Sequence, residues 1–206
     1  MAYCYDLGLG VVEDKEKAVA LYNNAAEQEY APAQSNLGYL YNKGIYFDKN
    51  IEKAIYWYTK ASTQGYDIAQ YNLANLYNNV DDEYCNYEEA FKWYLEAANS
   101  EDVYGLTNAA NYYKNGIRTD KNLNKAYELY LKAAEKGHAA AQKNLALMYY
   151  YGEDIPKNID KAIELYKQSA NNKFSRALRE LGRMYMIGEN VIKDTKIGID
   201  YLYKSA

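Results

Sequence analysis

The sequence predicts an all-α protein, an α-solenoid of about six helix–turn–helix units of 36 residues each. Three ladders in phase predict it. Tyrosines stand 36 residues apart at Tyr5, Tyr41, Tyr77, Tyr113, Tyr149 and Tyr185. Small residues follow the same spacing at Ala18, Ala54, Ala90, Ala126, Ala162 and Gly198. Good helix-capping residues do so at Asp14, Asn50, Asn86, Asn122, Asn158 and Asp194. Fixed periods of about 20–50 residues mark stacked repeats, in which each unit buries its apolar face only against its neighbours.

The unit Ala31–Tyr66 shows why each half is helical. Its first half places Ala33, Leu37, Leu40 and Tyr41 on one helical face and stops at Gly44; its second carries Ile51, Ala54, Ile55, Tyr58, Ala61 and Ser62 and stops at Gly65. Both halves have the 3.6-residue apolar period, and a glycine just past a helix suits the left-handed C′ position. Asn50 can accept a bond from an unpaired first-turn amide, and Glu52 lies where the helix dipole favours negative charge. Further small ladders run through Ala33, Ala69, Gly105, Ala141 and Ala177, and through Ala26, Ser62, Ala98, Ala134, Ala170 and Ala206. Large side chains accompany them at Leu21, Trp57, Trp93, Leu129, Leu165 and Tyr201. Alternating large and small residues interdigitate facing helices, so the ladder tyrosines and both tryptophans are expected in the core.

Composition excludes several classes. The 206 residues carry a net charge of −4, with a pI near 5.2 and a mean hydropathy of −0.62. Nucleic-acid binders are more often strongly basic, and no apolar run reaches the roughly 18 residues of a membrane helix. Cys4 and Cys85 are 81 residues apart, more than two units, so they are expected as free thiols. Unpaired cysteines, with no secretion signal at MAYCYDLGLG, favour a cytoplasmic setting.

The fragments LGYLYNKG (Leu37–Gly44), KAIYWYTKASTQG (Lys53–Gly65), KAYELYLKAAEKG (Lys125–Gly137) and KAIELYKQSA (Lys161–Ala170) make the chain resemble the Sel1-like repeat family, relatives of the tetratricopeptide repeats. The resemblance covers essentially the whole chain and implies a right-handed α/α superhelix. As one array over 1–206, its units fall at 1–30 (partial), 31–66, 67–102, 103–138, 139–174 and 175–206 (partial). Val80 stands where the other units have glycine, followed by Asp81, Asp82 and Glu83; Ala109 replaces a leucine. Those turns are expected to be locally distorted. Neither end supplies a polar capping repeat, which points to a longer protein or to end-to-end self-association.

No catalytic constellation is visible. The single histidine, His138, follows Gly137 at a junction between units, where a linker or capping role fits. One histidine and two cysteines cannot build the usual zinc cluster. Gly8–Val11 lacks the strand and third glycine of a phosphate loop. The expectation is a non-enzyme with no cofactor, metal or small-molecule substrate.

In tetratricopeptide arrays the first helix of each unit lines the concave groove. By that resemblance the lining of the second unit is Pro32, Ser35, Tyr39, Asn42 and Lys43. The equivalents include Asp6 in the first unit and Tyr71, Asn75 and Asn78 in the third. Asn111, Lys114, Lys143, Arg176, Arg179 and Arg183 follow in the later units. The full lining set holds six basic residues and one acidic, +5, leaving −9 for the rest of the chain. Asparagine amides can bond an extended backbone, and Lys and Arg a carboxylate. The expected function is a protein–protein adaptor or scaffold that binds an acidic or C-terminal peptide segment on this face. The alternative is a regulatory or targeting repeat region of a larger protein, with nucleic-acid binding less favoured.

Overall fold

The computed structural model describes residues 1–79 and 83–206, without the Asp6 side chain. The expected irregularity at Val80 and most of the acidic turn, Asp81 and Asp82, lie outside the described residues. Twelve helices and no strand occur among the described residues. They form two compact units, Met1–Asp102 and Val103–Ala206. The first holds α1 (Ala2–Leu7), α2 (Lys15–Glu27), α3 (Ala31–Lys43), α4 (Ile51–Thr63), α5 (Asp67–Tyr77) and α6 (Tyr87–Asn99). The second holds α7 (Val103–Asn115), α8 (Leu123–Glu135), α9 (Ala139–Tyr151), α10 (Ile159–Asn171), α11 (Ser175–Ile187) and α12 (Thr195–Lys204). Within each unit every helix packs on the next in sequence, so each is a stretch of all-α solenoid.

One hydrogen bond recurs at six turns. In five repeats the first helix ends on a left-handed glycine, as at Gly44 with φ of 68° and Gly152 with φ of 74°, whereas α5 ends on Asn78 with φ of −84°. The chain then turns back so that the N–H of the next helix's N-cap donates to the ladder tyrosine carbonyl. Asn50 N bonds Tyr41 O at 2.9 Å, Asn122 N bonds Tyr113 O at 2.8 Å, and Asp14, Asn86, Asn158 and Asp194 do the same at 2.8–3.0 Å. All six capping side chains accept from first-turn amides, among them Asn50 from Lys53 N at 2.8 Å and Asn158 from Lys161 N at 3.0 Å.

The small ladder from Ala18 to Ala162 is wholly buried, as expected. The ladder tyrosines differ from expectation. Tyr149 is buried, but Tyr5, Tyr41, Tyr77, Tyr113 and Tyr185 are only half-buried, because each ring lies at the end of its first helix beside the turn. A second-helix lysine covers four of them: Lys17 lies 4.1 Å from the Tyr5 ring centroid, Lys53 5.0 Å from Tyr41, Lys125 5.0 Å from Tyr113 and Lys161 4.7 Å from Tyr149. Trp57 and Trp93 are likewise half-buried. The deep spacer is a different ladder, Tyr22, Tyr58, Tyr94, Tyr130 and Tyr166, each at most 4% exposed. Burying such a side chain contributes roughly 1.5–3 kcal/mol. Tyr58 packs on Gly38 so closely that a Cβ there would lie 2.7 Å from the ring.

Buried glutamines tie successive repeats together. Gln34 Nε2 donates to Ala26 O at 3.0 Å, Gln70 to Ser62 O at 3.2 Å and Gln142 to Ala134 O at 3.2 Å. Each thereby adds a second donor to a terminal carbonyl of the preceding helix, which also accepts from the amide of the left-handed junction residue. Gln34 Oε1 accepts in turn from Gln64 at 2.7 Å, and Gln142 Oε1 from Asn172 at 3.3 Å.

The junction between repeats needs a left-handed residue. Gly65 and Gly137 supply it at φ of 81° and 84°, but Glu29, Glu101 and Lys173 adopt φ of 57–62° with side chains that disfavour it. Left-handed backbone costs a non-glycine residue roughly 1 kcal/mol. Lys173→Gly should therefore raise Tm by about 2–4 °C in a thermal melt, whereas an unchanged or lowered Tm would show the strain to be absent.

Candidate functional site

The exposed side of the first helices carries the expected residues, though not every one as expected. On α3, Asn36, Tyr39 and Lys43 are exposed and Asn42 is half-buried, while Ser35 is buried. Thr107, in the Ser35 register of α7, is also buried. Its hydroxyl donates to Val103 O at 2.7 Å and lies 2.7 Å from His138 Nδ1. Since the hydroxyl proton is committed to the carbonyl, Nδ1 of His138 is the donor to Thr107. His138 thus stands at the N-cap of α9 as a junction residue.

In the first unit, Asn42, Lys43, Asn75 and Asn78 line one cleft of about 810 Å³ with Lys49, Leu76 and Asn79. Among the described residues no acid lines it and neither lysine pairs with an acid; Asp81 and Asp82, just beyond Asn79 in sequence, lie outside the described residues. The Tyr94 hydroxyl donates to Asn75 Oδ1 at 2.7 Å, which leaves the Asn75 amide as a donor group. Tyr39, 46% exposed, lines a neighbouring, more apolar pocket. Tyr71 is half-buried with its ring 6.2 Å from that of Tyr94, and so serves the core more than the cleft.

In the second unit most of the expected contacts are committed internally. Asn111 Oδ1 accepts from the Tyr130 hydroxyl at 2.5 Å and from Asn144 at 3.2 Å, and its amide donates to Asn108 at 3.4 Å. Lys114 pairs with Glu153 at 2.9 Å. Arg183 bonds Glu189 closely and Glu180 at 3.5 Å, and the Tyr150 hydroxyl also donates to Glu189. The hydrogen bonds from Tyr150 and Arg183 hold the Glu189 carboxyl below its ordinary range. These acids lie off the lining, so the +5 counted along it is partly neutralised. What remains is Lys143, Arg176 and Arg179, the two arginines exposed. Lys143 donates to Asn144 Oδ1 at 3.0 Å; burial, then the cations of Arg176 and Lys114, lower its pKa.

Sequence reasoning missed three sets of residues. They are the buried tyrosine ladder, the asparagine ladder Asn36, Asn72, Asn108 and Asn144, and the acids Glu153 and Glu189 that clamp a first helix to the next repeat. The first two share the 36-residue spacing and were open to the same search. The third was hidden because Glu153 and Glu189 sit after the turn glycine, outside the helix whose face was counted. Among the described residues no three His, Cys, Asp or Glu side chains are grouped to hold a metal, and Cys4 and Cys85 are free thiols.

The tyrosine hydroxyls give the fold a pH dependence. Burial pushes Tyr58, Tyr130 and Tyr166 well above the ordinary phenol value, and burial with the Tyr84–Glu52 bond of 3.1 Å pushes Tyr84 up to about 12. These raised values stabilise the fold below the unfolded pKa of about 10 and cease to do so as pH rises through the native values. Thermal melts should show a constant Tm up to about pH 10 and a steep fall above it. A Tm that stays level to about pH 12 would contradict the burial of these phenols.

Six consecutive stretches, residues 1–30, 31–66, 67–102, 103–138, 139–174 and 175–206, match the Sel1 repeat. The chain is similar to a crystal structure of a Sel1 repeat protein from Oxalobacter formigenes, at 35% identity and a TM-score of 0.91, over 100% of this chain and 82% of that one. It is also similar to a protective antigen of uropathogenic Escherichia coli with an SLR fold, at 28% identity and a TM-score of 0.85, over 99% of this chain and 44% of that one. An immunity protein of Pseudomonas aeruginosa, 20% identical over 99% of this chain and 78% of that one, shares the fold at a TM-score of 0.66. No curated protein matches the sequence. With Sel1 repeats matched along its whole length, the chain belongs to the Sel1 repeat family.

Proposed function

We propose that this chain is a non-catalytic adaptor or scaffold that binds a partner protein through the exposed faces of its first helices. Sel1 repeat proteins generally mediate protein–protein interaction, and the repeat is typically a scaffold without catalytic activity. The observation that carries the finer reading is the cleft between α3 and α5. It gathers Asn42, Lys43, Lys49, Asn75 and Asn78 with no acid among its described lining residues, so it offers amides and positive charge together. Lysines hold carboxylates as point charges and amides hold peptide backbone. The cleft therefore suits an acidic or C-terminal segment of a partner. Lys143 and Arg179 of the second unit provide a further basic patch, whereas Asn111 and Lys114 bond the next repeat and Arg183 is paired within its own.

A labelled peptide ending in two acidic residues and a free carboxylate tests this reading by fluorescence polarisation. Lys43→Glu/Lys49→Glu should weaken its binding by about tenfold or more, and raised salt should weaken it in the parent. Lys114→Gln, which leaves the cleft intact, should change it little. Equal affinity of the parent and the double variant would overturn the assignment.

A further inference from the structure

Directly beside the cationic cleft, on the same helix, lies a pocket of different character. Tyr3 and Leu7 of α1, Tyr39 and Leu40 of α3, and Ile45 and Tyr46 of the following turn line a space of about 300 Å³. Its rim exposes Tyr3, Leu7, Tyr39 and Tyr46, at 57, 52, 46 and 37%. An enclosed apolar cavity of about 150 Å³ accepts a benzene ring, so this open pocket has room for one large aliphatic or aromatic side chain. It joins the cleft through α3. Tyr39 stands three and four residues before Asn42 and Lys43, hence on the same helical face, and the Tyr58 hydroxyl beneath is influenced by both Asn42 and Tyr39.

We infer that the two form one recognition site. The pocket takes a large apolar side chain of the same partner segment whose carboxylate the cleft binds. This rests on the cleft reading above and adds the partner's sequence preference. Charge complementarity selects the occupant, because the seat beside the pocket holds Lys43 and Lys49 and no acid among the described residues. Spacing sets the register. Four helical residues rise about 6 Å and a neighbouring helix lies about 8–10 Å away, while an extended peptide advances about 3.3 Å per residue. The apolar residue therefore stands two or three positions from the carboxylate, and precedes it where that carboxylate is C-terminal.

The test uses the whole chain and three labelled hexapeptides. One is Gly-Ser-Phe-Ser-Asp-Glu with a free C-terminus. The second has Ala in place of Phe. The third keeps Phe but carries Asn and Gln in place of the acids and a C-terminal amide. The Phe peptide should bind about tenfold or more tightly than the Ala peptide. Tyr39→Ala should remove that preference, and Asn36→Trp, which fills the pocket rim, should remove it independently, with circular dichroism confirming that both variants fold. If the Phe and Ala peptides bind equally but both require Lys43 and Lys49, the pocket inference fails while the cleft reading stands. If the neutral Phe peptide binds as well as the acidic one, the pocket acts alone and the joint site is wrong. If none of the three binds, both readings fall.

Discussion

A single backbone hydrogen bond, made six times, fixes everything else in this molecule. The N–H of each second helix's capping residue donates to the carbonyl of the ladder tyrosine that ends the first helix. The bond closes the turn, and in five of the six a left-handed glycine before it lets the chain reverse within a few positions. Once the turn is closed, the second helix has no freedom to slide along the first. The residues of the two helices then meet in one register, and small residues must stand where the backbones cross. That explains why Ala18 and its successors have no exposure, and why Gly38 faces the Tyr58 ring at a distance that leaves no room for a methyl group.

The closed turn also decides which side chains face outward. With Leu37 and its equivalents held inward, the positions near residues 36, 39 and 43 of each repeat must face solvent. In the first unit this brings together amides and lysines with no acid among the described lining residues, next to an apolar pocket. In the second unit the same positions are met by Glu153 and Glu189 from turns, so Lys114 and Arg183 there are paired internally. Register supplies the surface in both cases, and the local acids determine how much of its charge is already paired.

Much of this was legible in the sequence, and the limits have physical reasons. The fold, the caps at Asn50 and its equivalents, and the buried alanine ladder follow from spacing, because they depend only on which residues recur. The role of Tyr5 and Tyr41 was misjudged. A tyrosine at helical spacing reads as core, yet at the last turn of a helix its ring reaches the edge, where Lys17 and Lys53 cover it. Ser35 was placed outward when Asn36 is the exposed neighbour, a rotation of one residue that helical periodicity alone does not resolve. The pairing of Lys114 and Arg183 escaped because a charge count along one helix face omits acids just past a turn, Glu153 of the next repeat and Glu189 of Arg183's own.

Native-state hydrogen exchange at the capping amides tests the central claim most directly. Asp14, Asn50, Asn122, Asn158 and Asp194 lie outside the helices with exposed or half-exposed side chains, so ordinary loop behaviour would give them rapid exchange. If their bonds to the tyrosine carbonyls set the register, those amides should be protected as strongly as the interiors of the helices they join. Exchange at the rate of neighbouring turn residues would show that the turn is not the constraint on which the structure rests.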